Sequence, residues 1–91
     1  MNMADAGPAR IIKRSLKIAG HATSISLEEP FWALLRHVAV TEGMGLAAYV
    51  ERIDRERAGS NLSSAVRVHL LQWMLEKSAV SLSAQQAPHE A

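Results

Sequence analysis

The sequence contains no cysteine. Disulfide bonds and thiolate metal sites are therefore excluded, and a reducing, cytoplasmic compartment is the default expectation. No apolar run approaches the roughly 20 residues that a helix needs to cross a bilayer, and residues 1–10 lack the apolar core of a signal peptide. The composition therefore predicts neither a membrane protein nor a disulfide-stabilised secreted protein.

The groups that carry catalysis or bind metals are missing as well. The sequence shows no nucleophile beside a base, no clustered pair of carboxylates on a loop and no glycine motif that would cradle a phosphate. Its four histidines are 16, 32 and 20 residues apart, so no pair has ligand spacing on one helix face. We therefore expect no enzyme activity, no metal site and no cofactor.

Basic residues are concentrated in the N-terminal third of the chain. The whole sequence of 91 residues has a formal net charge of +1, but residues 1–27 hold four basic residues against one acid, and residues 28–91 hold six against eight. This places a positive field on the N-terminal segment, which suits either a polyanionic partner or a solvated basic tail. A chain of this length forms one domain at most, and oligomerisation would add to its small core.

Strict alternation of apolar and polar residues marks Thr23 to Leu27 as a half-buried strand. Ile25 and Leu27 would point one way, and Ser24 and Ser26 the other. Everything after Pro30 has the pattern of helices, so this strand has no later partner in its own chain. A lone strand cannot satisfy its backbone hydrogen-bonding groups.

A second alternating segment precedes that strand. Its apolar residues fall on even numbers, with lysines and a serine between them, whereas those of the later strand fall on odd numbers. The parity changes within residues 19–22, where Gly20 predicts a turn or a bulge. Two arrangements are open: this segment folds back as a hairpin, or a second copy of the chain supplies the missing strand edge.

Three helices follow. The first is predicted to open near Glu29-Pro30 and to stop at Gly43, the second to run from about Leu46 to Arg57, and the third, capped by Ser60 or Asn61, from about Leu62 to Lys77. The third helix is apolar on more than half its circumference, so one side can pack on its own chain and the other predicts a subunit interface. The predicted organisation is a disordered lead-in (1–11), a domain (12–77) and a flexible tail (78–91).

The order of these elements resembles the ribbon-helix-helix proteins of the Arc and MetJ type, and more closely a bacterial subgroup with one extra helix. The residues that carry the resemblance are Thr23-Ser24-Ile25-Ser26-Leu27-Glu28 running into Phe31-Trp32, and Asn61-Leu62-Ser63-Ser64-Ala65-Val66-Arg67. It covers roughly residues 13 to 77. It implies a mainly α fold with one short N-terminal β-ribbon, a third helix and an intertwined homodimer.

The resemblance also implies a function. Members pair their strands antiparallel across the dimer, and the two-stranded ribbon enters the DNA major groove, as expected of a transcriptional regulator. Outward ribbon residues would touch base edges, the start of the second helix would hold a phosphate, and nearby cations would add affinity. The predicted DNA-binding residues are Lys13, Arg14, Lys17, Ser24, Ser26, Met44 and Gly45.

The predicted homodimer joins through the strand and the apolar side of the helices. Its expected interface residues are Thr23, Ile25, Leu27, Leu34, Val38, Tyr49, Val50 and Trp73. Trp32 and Trp73 are both predicted to anchor the core rather than to stack on bases. Arg67 is predicted to pair with an acid such as Asp54 or Glu56. The reader positions depart from the family, since they hold two serines and the acid Glu28. The alternative is therefore a dimeric adaptor that keeps the fold but binds another protein.

Overall fold

The computed structural model describes residues 10–78, and most of the predicted lead-in and tail lies outside them. Two strands come first and three helices follow: β1 (Ile11–Ile18), β2 (His21–Glu28), α1 (Glu29–Thr41), α2 (Leu46–Glu56) and α3 (Leu62–Lys77). This confirms the predicted mainly helical fold with an N-terminal ribbon and a third helix. The intertwined homodimer stays a prediction.

The two strands form an antiparallel hairpin within one chain. They are joined by Ala19 and Gly20, which both have positive φ angles, of 52° and 86°. Two consecutive residues with positive φ are typical of the tight turn whose twist matches that of a hairpin. The parity change is therefore a turn rather than a bulge, and the earlier segment folds back as a hairpin.

Local signals fix the helix ends. Pro30 lies in the first turn of α1, where its missing N–H costs nothing, and Gly43, with a φ of 73°, follows the end of that helix. Asn61 is the cap of α3, because its side chain accepts a hydrogen bond from the Ser64 backbone N–H at 3.1 Å. The helix α2 ends at Glu56, one residue before the predicted end.

The core lies between the inner face of the hairpin and the three helices. Trp32 is fully buried, as predicted, and its indole Nε1 donates to the Ile12 carbonyl oxygen at 2.9 Å. That hydrogen bond joins α1 to β1 and satisfies the polar atom of the largest core side chain. The buried apolar residues are Ile18, Ile25, Leu27, Trp32, Leu35, Val38, Ala39, Tyr49, Val50, Ile53, Leu62, Val66 and Leu70.

The helix α3 has two apolar faces with different surroundings. Leu62, Val66 and Leu70 face the core and are buried, whereas Val68 and Leu71 are 54% and 56% exposed. The outer face was predicted to form a subunit interface, and it remains available for one. Among the described residues, no helix combines the length and apolar character needed to cross a membrane.

Candidate nucleic-acid interface

The outer face of the hairpin is polar and basic. Residues directly opposite in an antiparallel pair point to the same face, and the register places Lys13 opposite Ser26 and Ser15 opposite Ser24. Lys17 lies on the same face, opposite Ala22. All of these side chains are exposed except that of Ser26, which is half-buried. The face therefore presents a serine pair at its centre with a lysine on either side.

Arg14 lies on the other face of the ribbon. It is paired with the fully buried Ile25, and its guanidinium carbon is 5.4 Å from the centre of the Trp32 ring. At that separation a guanidinium is attracted by the ring face. The structure thus separates Arg14 from the two lysines with which it was grouped as a predicted DNA contact, although its exposed charge remains close by.

The helix α3 covers part of the outer edge of β2. Ser63 Oγ accepts a hydrogen bond from the Ser26 backbone N–H at 3.1 Å, and an Arg67 terminal nitrogen donates to the Ser26 carbonyl oxygen at 3.3 Å. These contacts explain why Ser26 is less exposed than Ser24. They also give the Asn61–Arg67 segment a role that its sequence alone did not reveal.

The acid that pairs with Arg67 is Glu28, and the expectation of Asp54 or Glu56 was wrong. Arg67 Nε lies 3.0 Å from Glu28 Oε1, whereas Asp54 pairs with Arg57 at 2.6 Å. A hydrogen bond from its own backbone N–H, followed by the Arg67 guanidinium, holds the pKa of Glu28 below its ordinary value. Glu28 is therefore an ionised partner of Arg67 on α3, rather than an unpaired acid at the end of the outer face of the hairpin.

The turn before α2 has the geometry of a helix start. Gly45 is the cap residue in an extended conformation, no side chain caps the helix, and the Gly45 carbonyl accepts from the Tyr49 N–H at 2.9 Å. The first amides of such a helix have no intrahelical acceptor. Met44 is half-buried against the core. Phosphate binding at Met44 and Gly45 stays a prediction.

Most of the predicted dimer-interface residues lie in the core of the single chain. The structure buries Ile25, Leu27, Val38, Tyr49 and Val50 completely. The remaining three are half-buried, namely Thr23, Leu34 and Trp73. In the single chain these five side chains contribute to the core, and the assignment of all eight residues to a dimer interface stays a prediction.

A second polar cluster lies between α2 and α3. The Tyr49 hydroxyl is 2.6 Å from His69 Nε2, and the Trp73 indole Nε1 donates to Glu42 Oε2 at 3.1 Å. Burial lowers the pKa of His69 and raises that of Tyr49. These shifts favour a neutral His69 and a protonated Tyr49 at pH 7, and the two groups share one hydrogen bond whose donor is set by the imidazole tautomer.

Sequence reasoning missed two parts of the outer face. Ser15 has the same odd-number parity as Lys13 and Lys17, and this parity could have placed it on the same face of the strand. Its position opposite Ser24, however, depends on the hairpin register. The contact of Arg67 with Glu28 joins residues 39 positions apart. No local pattern specifies a pairing at that separation.

A two-stranded ribbon with a polar outer face on a helical core defines a ribbon-and-helix domain. The chain matches the ribbon-helix-helix domain over residues 11–74, and it belongs to that family. Members of the family are generally DNA-binding transcription regulators, typically homodimeric, and their fold is a non-enzymatic one.

A solved structure with a similar fold is that of an uncharacterized protein from Bordetella pertussis Tohama I. The two chains are 27% identical, with a TM-score of 0.67, and the match covers 87% of this chain and 72% of that one. No curated protein matches the chain. The likeness therefore supports the fold without adding a function.

Proposed function

We propose that the protein is a homodimeric, sequence-specific DNA-binding protein that regulates transcription by inserting its two-stranded ribbon into the major groove. The observation that carries this proposal is the outer face of the hairpin, where Lys13 and Lys17 flank Ser15 and Ser24. A two-stranded β-ribbon fits the major groove. Lysines at its margins supply phosphate contacts, and serine hydroxyls at its centre reach base edges.

The division of the ribbon into two chemically different faces supports the same function. The inner face is anchored by Ile25 and Leu27, which are completely buried, so the outer face is held in a fixed position by the core. A rigid scaffold lets short side chains such as serine reach a base edge, because little conformational entropy is lost on contact.

Retention of genomic DNA tests this proposal. The purified protein is mixed with genomic DNA fragments at low salt, and the retained fragments are sequenced. We expect enrichment of a shared short sequence, since base contacts discriminate between sites. If the protein retains no DNA duplex at low salt and a polypeptide partner copurifies with it instead, the dimeric adaptor is the better description.

The homodimer has its own test on the outer face of α3. Because the chain lacks cysteine, Leu71→Cys introduces a single thiol at the middle of the exposed apolar stripe. A twofold axis near that residue brings the two thiols within disulfide range, at Cα separations below about 7 Å. We expect oxidation to give a covalent dimer of about 20 kDa, twice the 9.9 kDa of the chain.

Val40→Cys is the matched control, since Val40 is an apolar residue on α1 that is 77% exposed. It should remain uncrosslinked under the same oxidation. A parent protein that sediments as a folded monomer at micromolar concentration would exclude the homodimer. If the parent protein is a dimer but Leu71→Cys does not crosslink, the dimer interface lies elsewhere than on this apolar stripe.

The adaptor is the second candidate function, and the exposed pair Val68 and Leu71 on α3 favours it. An amphipathic helix with an uncovered apolar face is a common docking element for another polypeptide. The same residues serve the homodimer, so the two functions differ in what covers α3 and in whether the ribbon binds DNA.

A further inference from the structure

A cavity of about 310 Å³ opens between α2 and α3, at the polar cluster that contains Tyr49 and His69. Its volume falls at the lower end of the range for small-molecule sites, which often lie between packed helices. The Trp73 ring forms part of its wall, together with charged side chains of both signs. The DNA contact proposed for the outer face of the ribbon uses none of these residues.

A cation already lies on the Trp73 ring. The Lys77 ammonium nitrogen is 5.6 Å from the ring centre, a separation at which an aromatic face attracts a positive charge. Lys77 is exposed, and the ion pairs formed among residues 10–78 involve other basic residues. Because an exposed contact of this kind is weak, the ammonium group can leave the ring, and its position marks where an external cation would bind.

The carboxylates around the cavity favour a positively charged ligand. Glu42 Oε2 accepts a hydrogen bond from the Trp73 indole at 3.1 Å, which holds that carboxylate at the edge of the ring, and Glu76 lines the same cavity. Burial lowers the pKa of His69, but three carboxylates, including Glu42 and Glu76, act in the opposite direction, and one guanidinium, that of Arg52, adds to the lowering. Negative groups therefore outnumber positive ones around the imidazole.

Arg52 leaves the Trp73 ring accessible, because it lies on a different ring. Its guanidinium carbon is 4.8 Å from the centre of the Tyr49 ring, and Tyr49 is fully buried. The Tyr49 face is therefore covered from within the chain. Trp73, which is half-buried, carries the aromatic face that a ligand can reach once Lys77 moves.

We propose that the Trp73 ring face, together with Glu42 and Glu76, forms a binding site for a small organic ammonium cation. A methylated ammonium group suits this site, because aromatic faces bind such cations and a carboxylate beside the ring adds attraction. On binding, the ligand displaces the Lys77 ammonium from the ring. The site is separate from the ribbon, so its occupancy does not require DNA.

Titration with choline chloride, followed by NMR of the indole N–H signals, tests this proposal. The chain has two tryptophans. Trp32 is fully buried and its indole is bonded to the Ile12 carbonyl, so its signal is the internal reference. We expect a saturable shift of the Trp73 signal with choline. Equal concentrations of sodium chloride, or of the uncharged analogue in which carbon replaces the quaternary nitrogen, should cause none.

Three exposed or surface positions provide the matched variants. Lys77→Met removes the competing ammonium but keeps an unbranched side chain, and it should tighten choline binding roughly two- to fivefold. Glu76→Gln should weaken binding roughly twofold. Glu51→Gln is the control, because the Glu51 carboxylate pairs with Arg55 on α2 and does not line the cavity, and it should keep the parent affinity.

An equal shift with the uncharged analogue would overturn the proposal, since the site would then bind apolar groups without regard to charge. So would the absence of a saturable Trp73 shift in the parent and in Lys77→Met, or a choline affinity that Lys77→Met leaves unchanged. The retention of DNA is measured independently, so failure of this proposal leaves the proposed function intact.

Discussion

Arg67 and His69 on α3 each form a hydrogen bond with another element of the fold. Arg67 binds Glu28 and the Ser26 carbonyl of β2, and His69 Nε2 shares a hydrogen bond with the Tyr49 hydroxyl of α2. The first contact fixes the position of α3 along the ribbon edge, and the second fixes the packing of the two helices. Both involve titratable groups with shifted pKa values, so both make stability depend on pH.

Replacing Arg67 with alanine should lower the Tm, and the loss should be larger at pH 7 than at pH 3. The pKa of Glu28 is lowered in the folded protein, so its stabilising contribution is present at neutral pH and is lost as the pH falls through that value. Arg67→Lys keeps the positive charge but lacks the planar guanidinium group. Its Tm at pH 7 should lie between those of the parent protein and Arg67→Ala. Thermal melts at both pH values measure the effect, and an equal Tm loss at both would contradict it.

Acidification below neutral pH should also weaken the fold through His69. Burial lowers its pKa below the ordinary value of 6.5, so the folded state favours the neutral ring, and this stabilisation is lost as the pH falls through the folded-state value. His69→Gln should flatten the pH dependence of the unfolding free energy between about pH 7 and 5. Urea unfolding at several pH values measures this dependence, and a parent-like pH dependence in His69→Gln would contradict the prediction.

The helix ends that local chemistry determines could be predicted from the sequence. Pro30, Gly43 and Asn61 are start and stop signals that act within one turn of a helix, and the helices begin and end close to where they indicated. The helix α2 ends one residue before the predicted position, where Arg57 leaves the helical conformation and pairs with Asp54. The choice of a hairpin over an extended strand required the conformation of the turn itself.

The turn between β1 and β2 contains one residue, Ala19, in a conformation that a side chain disfavours. Ala19 holds a φ of 52°, a conformation that costs a residue with a Cβ about 1 kcal/mol or more, whereas Asn tolerates it and Asn-Gly favours this turn. We expect Ala19→Asn to raise the unfolding free energy by about 0.5–1 kcal/mol. Chemical denaturation measures the change.

Gly20→Ala is the opposing variant. A Cβ at Gly20 meets nothing within 4 Å, so any loss of stability comes from its φ of 86° rather than from a clash. We expect a loss of about 1–2 kcal/mol. A neutral result for both variants would show that the turn does not adopt these angles in solution.

The whole molecule separates its charges by face. The basic N-terminal third is arranged so that Lys13 and Lys17 point outward and Arg14 points toward the helices. Composition alone predicted the excess of positive charge, but not its division between two faces, because that division requires the strand register. Oligomeric state is likewise a property of the exposed surface, which depends on how the whole chain packs.

The salt dependence of DNA affinity in paired charge variants tests whether DNA contacts the outer face of the ribbon. Lys17→Ala and Arg14→Ala remove the same charge from neighbouring parts of β1 but from opposite faces. Circular dichroism first confirms that both are folded. Affinity for one duplex is then measured over a range of salt concentrations.

Four lysines per dimer at the contact predict a slope of log affinity against log salt of about −3 to −4 for the parent. Lys17→Ala should reduce its magnitude by about 2, since each dimer loses two phosphate contacts, and Arg14→Ala should keep the parent slope. The outer face of the ribbon is not the surface that binds DNA if both variants reduce the magnitude of the slope equally. The same conclusion follows if only Arg14→Ala reduces it.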